Sequence, residues 1–255
     1  EKIPLTVNPQ TGMAHGELNW KKGRYTAWTP EHPVLIPFTI YALDGDVLTA
    51  LYTTKTAVRT VSVSREKGFQ LNGVTRKIKG VCLHHDLGPL GAAENKTALI
   101  RRIKRMKDMG ADAIRTAHNM PSELLMQLCD SLGMMVMAES FDMWVYPKCR
   151  NGYARFFNEW ADKDMESLVR HHRNHPSIIM WSIGNEIPEQ WSEEGRQIAG
   201  RLQAVCHRLD PSRPVTQGMD RAEDALKSGF AQVMDVPGYN YRDYKYTDGM
   251  KRLPQ

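Results

Sequence analysis

With 255 residues, 41% of them hydrophobic and 25% charged, the chain can bury one large core or two smaller ones and has the composition of an ordinary globular protein. Its longest apolar run falls far short of the roughly 18 residues that span a bilayer. A net charge of +5, with no aromatic residues interleaved among the basic ones, gives no reason to expect nucleic acid as a partner.

Cys82, Cys129, Cys149 and Cys206 have neither metal-ligand spacing nor the density of a disulfide framework, so buried free thiols are expected. The chain opens with Glu1-Lys2-Ile3-Pro4, which is not a secretory signal and does not begin with Met. A processed or excised chain is therefore expected, and its compartment stays open.

Residues 1–68 read differently from the rest. Val34 to Ile40 alternates as a strand does, Asp44-Gly45-Asp46 turns the chain into Val47 to Leu51, and Ala57 to Ser64 follows. Short strands joined by tight turns suggest part of an antiparallel sandwich. Residues 1–30, rich in Gly, Pro and polar side chains, show no periodicity that would place them.

From Phe69 onward the pattern changes. Asn72-Gly73 predicts a hairpin turn, and Lys77 to Leu83 a first buried strand that runs into His84-His85-Asp86. Leu99, Ile100, Ile103, Met106 and Met109 repeat at helical spacing, with Gly110 as the stop; the basic residues Arg101, Arg102, Lys104, Arg105 and Lys107 form that helix's solvated face. A strand over Ala111 to Thr116 leads to His118. A helix opened by Pro121 follows, and then a strand over Met134 to Ala138 ending at Glu139. After a loop carrying Trp144, a helix is expected over 157–172.

Ile178 to Ile183 is an almost unbroken apolar run bounded by Pro176 and Gly184, the signature of a strand buried on both faces of a parallel sheet. It ends in Asn185 and Glu186. Ser192 predicts the cap of the next helix, Pro214 to Gln217 a fifth strand, Asp220-Arg221-Ala222-Glu223 a capping box, and Val233 to Val236 a sixth strand before Gly238-Tyr239-Asn240-Tyr241. Strands alternating with helices indicate a parallel α/β sheet, and polar residues at the strand ends favour a barrel. About six strands are countable where closure takes eight.

Read from its strand alone, Glu186 either caps the next segment, pairs with an arginine, or donates a proton from a half-dried position. Together, the strand ends supply His84 and Asp86, Arg115 and His118, Glu139, Asn185 and Glu186, Tyr239 and Tyr241. Carboxylates for proton transfer, His and Asn for hydroxyls, and aromatic faces for C–H surfaces suit a sugar. Glu139 reads as support for the hydrogen-bond network of the barrel. His171, His172 and His175 read as structural, with no acidic partner at a convincing spacing for a metal.

Phe69-Gln70-Leu71-Asn72-Gly73, Gly80-Val81-Cys82-Leu83-His84-His85-Asp86, Ile114-Arg115-Thr116-Ala117-His118 and the stretch from Asn174 to Glu186 resemble, in order and spacing, glycoside hydrolase family two over about residues 34–245. That family contains β-galactosidases, β-glucuronidases and β-mannosidases, and the likeness is greatest to a bacterial β-galactosidase. The resemblance implies an incomplete (β/α)₈ TIM barrel over 69–255, preceded by part of an immunoglobulin-like β-sandwich over 1–68.

It further implies a retaining exo-β-glycosidase acting on terminal β-galactosides, with β-glucuronides or β-mannosides as alternatives. Glu186 would be the general acid/base, Asn185 would hold the 2-hydroxyl, and Arg115 would orient the nucleophilic carboxylate. His84, His118 and Asp86 would contact sugar hydroxyls. Trp144 would be a sugar platform or a loop anchor, and Tyr241, or Tyr239 if the register differs, would lie against the nucleophile. The family's nucleophile follows the seventh strand, past Gln255, so a fragment with little or no activity is expected.

Ser140-Phe141-Asp142-Met143-Trp144 lacks the acid and histidine with which some β-galactosidases bind magnesium, so no metal and no other cofactor is expected. The expected partner is an oligosaccharide or β-glycoside, with neither nucleic acid nor membrane, in a bacterial cytoplasm or periplasm, and homo-oligomerisation is left open for the full-length protein. The rival classes are a non-catalytic carbohydrate-binding module on the same fold and an unrelated barrel lyase or aldolase; the latter would want a strand-end lysine, and none stands out.

Overall fold

The computed structural model describes residues 3, 5–17 and 23–254. Glu1, Lys2, Pro4 and Gln255, on which the expectations about processing and the chain's end rest, lie outside the described residues, as do residues 18–22.

Among the described residues up to position 75, three small antiparallel sheets make a sandwich-like region. β1 (Thr6–Val7) pairs with β2 (Ala14–His15), and β3 (Ile36–Asp44) with β4 (Val47–Thr56). β5 (Val61–Ser64), β6 (Gly68–Leu71) and β7 (Val74–Thr75) form the third sheet, which runs across the boundary expected at residue 68. The Asn-Gly signal is met: Asn72 and Gly73 carry φ of 54° and 77°, the left-handed pair that a two-residue hairpin joining β6 to β7 takes. Ile40, Leu43, Leu48, Leu51 and Tyr52 of the β3–β4 hairpin are exposed.

From residue 80 the strands and helices alternate. β8 (Gly80–His84), α1 (Lys96–Asp108), β9 (Ala113–Ala117), α2 (Glu123–Leu132), β10 (Met135–Glu139) and α3 (Ala154–His172) make the first half. β11 (Ile178–Asn185), α4 (Glu193–Leu209), β12 (Val215–Met219), α5 (Ala222–Lys227), β13 (Val236–Tyr239) and α6 (Tyr246–Arg252) make the second. All six strands pair in parallel and in chain order, β8 to β13, six of the eight that close a TIM barrel. No helix among the described residues is long and apolar enough to cross a membrane.

Capping fixes the helix starts. Asn95 Oδ1 accepts from Ala98 N at 3.0 Å, Ser122 Oγ from Leu125 N at 3.2 Å and Ser192 Oγ from Gly195 N at 3.0 Å. Gly133, left-handed at φ 72°, ends α2. Three expectations shift. Ser122, not Pro121, sets the start of α2. Asp220 forms no capping box, because its Oδ1 accepts from the Gln190 amide at 2.7 Å and the cap position of α5 passes to Arg221. The sixth strand begins at Val236, after a 3-10 turn over Ala231–Val233. Pro237 and Gly238 disguise it, and Pro237 is tolerated because β13 is an edge strand among the described residues.

The core lies in two layers. Between sheet and helices, Ile103, Met126, Phe157, Met165, Leu168, Ile183 and Leu202 are packed into one apolar cluster; truncating any of the larger ones to Ala costs about 2–5 kcal/mol. On the other face of the sheet, Met135, Ile179 and Met180 meet Trp28 and Leu71 from the N-terminal segment. Trp28, in the stretch without periodicity, is fully buried and donates Nε1–H to the Asp130 carbonyl at 2.9 Å. Cys129 and Cys206 are buried as expected, but Cys82 and Cys149 are exposed; all four are free.

Candidate active site

The C-terminal ends of β9, β10, β11 and β13 converge on one hydrogen-bonded cluster. At its base is Glu139, a fully buried carboxylate. It accepts from Arg115 Nε at 2.5 Å, His118 Nδ1 at 2.5 Å and Ser182 Oγ at 2.6 Å, and its backbone N–H donates to Thr116 Oγ1 at 3.0 Å. A buried charge with this many donors is compensated, so Glu139 holds Arg115 and His118 in place as a fixed counter-charge.

Arg115 forks from that anchor. Its Nη2 donates to Asn185 Oδ1 at 2.8 Å, while Nη1 reaches Asn240 Oδ1 at 3.5 Å. Asn240 Nδ2 in turn donates to Asn185 Oδ1 at 3.0 Å and to Glu186 Oε1 at 2.8 Å. On the other side, Asn185 Nδ2 donates to Asp142 Oδ1 at 2.9 Å. Lys148 Nζ bonds that same oxygen at 3.0 Å and the Asn185 carbonyl at 2.8 Å. Burial pushes the Asp142 carboxyl up, but the hydrogen bonds from Asn185 and Lys148, with the charge on Lys148, outweigh it and hold the group below the usual carboxylate range.

Glu186 takes a left-handed backbone, φ 45°, and its N–H donates to the Gly218 carbonyl at 2.7 Å. A non-glycine residue held in that region is one of the places where structure stores strain at functional sites. The Glu186 carboxylate raises the pKa of the Tyr241 phenol, first through its charge and then as its hydrogen-bond acceptor. Gly218 makes room for the cluster: a Cβ there would lie 2.7 Å from Asn240 Oδ1 and 2.8 Å from Arg115 Nη2.

Six of the sequence-predicted residues therefore meet. Asn185 and Arg115 are directly bonded, Glu186 joins them through Asn240, His118 joins through Glu139, His84 stands edge-on to His118 with ring centroids 5.2 Å apart, and Tyr241 lies within the electrostatic reach of Glu186. Of the two tyrosines, Tyr241 stands at the rim of this cluster, whereas Tyr239 lies against the tilted ring of Tyr246 of α6, centroids 5.7 Å apart. Asp86 stays outside the cluster, because its Oδ1 accepts from Gly88 N at 2.7 Å and closes its own turn. His84 and Asp86 face a neighbouring hollow lined also by Leu83, Arg102 and Asn119, which does not reach Glu186.

Trp144 corrects the expectation of a sugar platform. It is 0% exposed, packs between Phe157 and Phe230, and donates Nε1–H to the Ile183 carbonyl at 3.1 Å, so its ring has no face to offer. Asn240, Asp142, Ser182 and Gly218 were missed as site residues; displacement of the sixth strand hid Asn240 at its end. The histidines lie away from this cluster, and the fold supplies them with acidic neighbours that no sequence spacing showed. Across the sheet from this cluster, at the N-terminal end of β11, Glu123 and Asp130 of α2 stand against His172 and His175. Glu123, His172 and His175 offer ligand atoms within 4.8 Å of one another.

Comparison with known proteins agrees with this architecture. The sequence profile of the glycosyl hydrolases family 2 TIM barrel domain matches residues 61–251. A β-galactosidase of Bacteroides ovatus is 38% identical over 85% of this chain and 29% of its own length. A β-glucuronidase of Sus scrofa is 31% identical over 79% of this chain and 31% of its own. Among solved structures, a glycosyl hydrolase family 2 member from Bacteroides cellulosilyticus superposes with a TM-score of 0.84 at 39% identity, covering 90% of this chain and 29% of that one. The chain thus spans under a third of the length of these proteins: it belongs to glycosyl hydrolase family 2, whose TIM-barrel domain it matches over residues 61–251.

Proposed function

We propose that this chain is the acid/base half of a retaining exo-β-glycosidase that removes terminal β-galactosyl residues. The observation that carries the reading is the position of Glu186. Its carboxylate follows a strand buried along its whole length, on a left-handed residue, and accepts from Asn240, with Asn185 and Arg115 alongside. A carboxyl so held can protonate the glycosidic oxygen and then take a proton from the water that releases the sugar.

Asn185, steadied from both sides by Arg115 and Asp142, is suited to the 2-hydroxyl, where hydrogen bonds strengthen as positive charge develops on the ring. His118, tied to Glu139, and His84, edge-on to that ring, would meet other hydroxyls. Double displacement takes a second carboxylate about 5–5.5 Å from the first. Glu139, fully buried and bonded by three donors, is not placed to serve, and the family resemblance implies a nucleophile after the seventh strand. β-Galactosides are put first because the B. ovatus relative, 38% identical, is named a β-galactosidase; a Formosa agariphila relative named a putative β-glucuronidase is 37% identical, which makes the glucuronide the alternative to assay.

The test is Glu186→Gln in the full-length protein, assayed on nitrophenyl β-galactoside and β-glucuronide. A loss of about 10²–10⁴-fold, smaller for better leaving groups and partly restored by azide, is expected of a general acid/base. Unchanged turnover of a poor leaving group would overturn the assignment. Faster turnover of the glucuronide by the unsubstituted protein would move the substrate to the alternative sugar.

A further inference from the structure

At the N-terminal end of the barrel, opposite Glu186, three groups from distant parts of the chain aim at one point. Glu123 is the first residue of α2, His172 the last of α3, and His175 lies three residues before β11. Glu123 Oε2 lies 3.2 Å from His175 Nε2 and 3.8 Å from His172 Nδ1, and all three ligand atoms fall within 4.8 Å of one another. Ligands at bond lengths of about 2.0–2.1 Å around a tetrahedral zinc ion stand roughly 3.3 Å apart, so a small contraction closes these around a metal.

His172 is the independent sign of a missing partner. It is 1% exposed, and neither ring nitrogen makes a formed hydrogen bond, with the Pro121 carbonyl as the backbone acceptor beside it. An unsatisfied imidazole this deep is costly unless something binds it.

The surroundings are those of a ligand set. Asp130 Oδ2 bonds His175 Nδ1 at 2.6 Å, the carboxylate–histidine arrangement that fixes a metal-binding imidazole with Nε2 facing the ion. Gln127 Nε2 donates to Glu123 Oε1 at 2.9 Å and leaves Oε2 for the metal. The carboxylates of Glu123 and Asp130 together balance a divalent charge. The Glu123 side chain is half-exposed, giving the ion a path from solvent and a fourth position for water.

We propose that Glu123, His172 and His175 form a zinc-class divalent metal site that clips the start of α2 to the end of α3 and the approach to β11. Two imidazoles and one carboxylate suit zinc, cobalt(II) or nickel(II) better than magnesium or calcium. The site is separate from the glycosidase cluster and does not depend on that reading.

The experiment uses the full chain, stripped with chelator and titrated with zinc chloride against a chromophoric competitor. Cobalt(II) is added separately to read the coordination number from its visible spectrum. One equivalent bound is expected, with the intense absorption of a four-coordinate site. Glu123→Gln should weaken binding at least about tenfold. His172→Leu should abolish it while leaving the metal-free protein folded and no less heat-stable, because an orphaned polar ring has been replaced by an apolar one. His171→Ala, one position away and exposed, should bind like the unsubstituted chain. Absence of stoichiometric binding, full binding by His172→Leu, or an equal loss in His171→Ala would each overturn the proposal.

Discussion

At the N-terminal end of β11, Arg59, Arg213, Asp210, Asp130 and His175 are tied to one another and to the backbone. Arg213 donates to the carbonyls of Ile178 at 2.7 Å and His175 at 2.9 Å and to Asp210, while Arg59 reaches the same Ile178 carbonyl at 2.6 Å. At the C-terminal end, Glu186, Asn185, Arg115 and Asn240 are bonded just as densely, but the cluster opens outward, with Tyr241 75% exposed at its rim. One strand thus carries two charged clusters, one turned into the protein and one facing out. Buried charge holds the fold together at the closed end; at the open end it orients the side chains proposed to meet the sugar.

The sharpest way to break that contrast is Arg213→Ala. It leaves Asp210 buried without its charge partner and strips donors from two carbonyls, so a loss of about 3–5 kcal/mol in urea denaturation is expected. Activity per folded molecule in the full-length protein should not change. A loss of turnover at unchanged stability would mean that the closed end reaches into catalysis.

Gly218→Ala works at the open end and should do the reverse. Its Cβ would stand 2.7 Å from Asn240 and 2.8 Å from Arg115, so both must shift. Overpacking costs about 1–3 kcal/mol of stability. Displacing the residues that orient Asn185 and Glu186 is expected to lower kcat/KM on the order of 10²-fold. Wild-type kinetics in this variant would show that Arg115 and Asn240 can move without consequence. Asn240→Ala is the milder version. It deletes one hydrogen bond to a carboxylate, worth roughly 1.5–3 kcal/mol, so turnover should fall about tenfold to a hundredfold with little change in melting temperature.

How much of this was legible in the sequence follows from where each signal lies. β11 was legible because burial on both faces leaves an apolar run that only Gly and Pro interrupt, and Glu186 follows it directly. Arg115, His118 and Asn185 were legible as polar residues at or near strand ends. Asn240 was not, because Pro237 and Gly238 make β13 look like a turn and the apolar residues ahead of it look like the strand. Trp144 misled because a tryptophan in a loop looks the same in sequence whether it faces a ligand or, as here, Phe157 and Phe230. The Glu123–His175 contact joins positions 52 residues apart. No local spacing encodes it, since only the packing of α2 against the start of β11 brings the two together. The inner core was half-visible for the same reason: Trp28 has no periodic neighbours and finds its place only through the underside of the sheet.

The smallest effect tests the rim of the closed end, where Glu31 joins the N-terminal segment to the barrel. Arg76 Nη2 bonds Glu31 Oε1 at 2.8 Å and Asp112 Oδ2 at 2.8 Å. The hydrogen bond from Arg76 holds the Glu31 carboxyl at about 2, below its ordinary 4.5, against a smaller opposing push from burial. A depressed folded-state value means that the unfolded chain binds the proton more readily. The contribution of Glu31 to stability is therefore fully present above pH 4.5 and is lost as the pH falls towards 2. Because the Glu31 side chain is more than half exposed, solvent screening limits it to no more than about 1 kcal/mol. Denaturation of the unsubstituted chain and Glu31→Gln from pH 2 to 6 should show a difference that grows from near zero to a plateau and shrinks with added salt. A difference independent of both pH and salt would mean that the Glu31 side chain acts through packing, and that the charge at this rim, unlike the buried charge around Arg213, adds nothing to the fold.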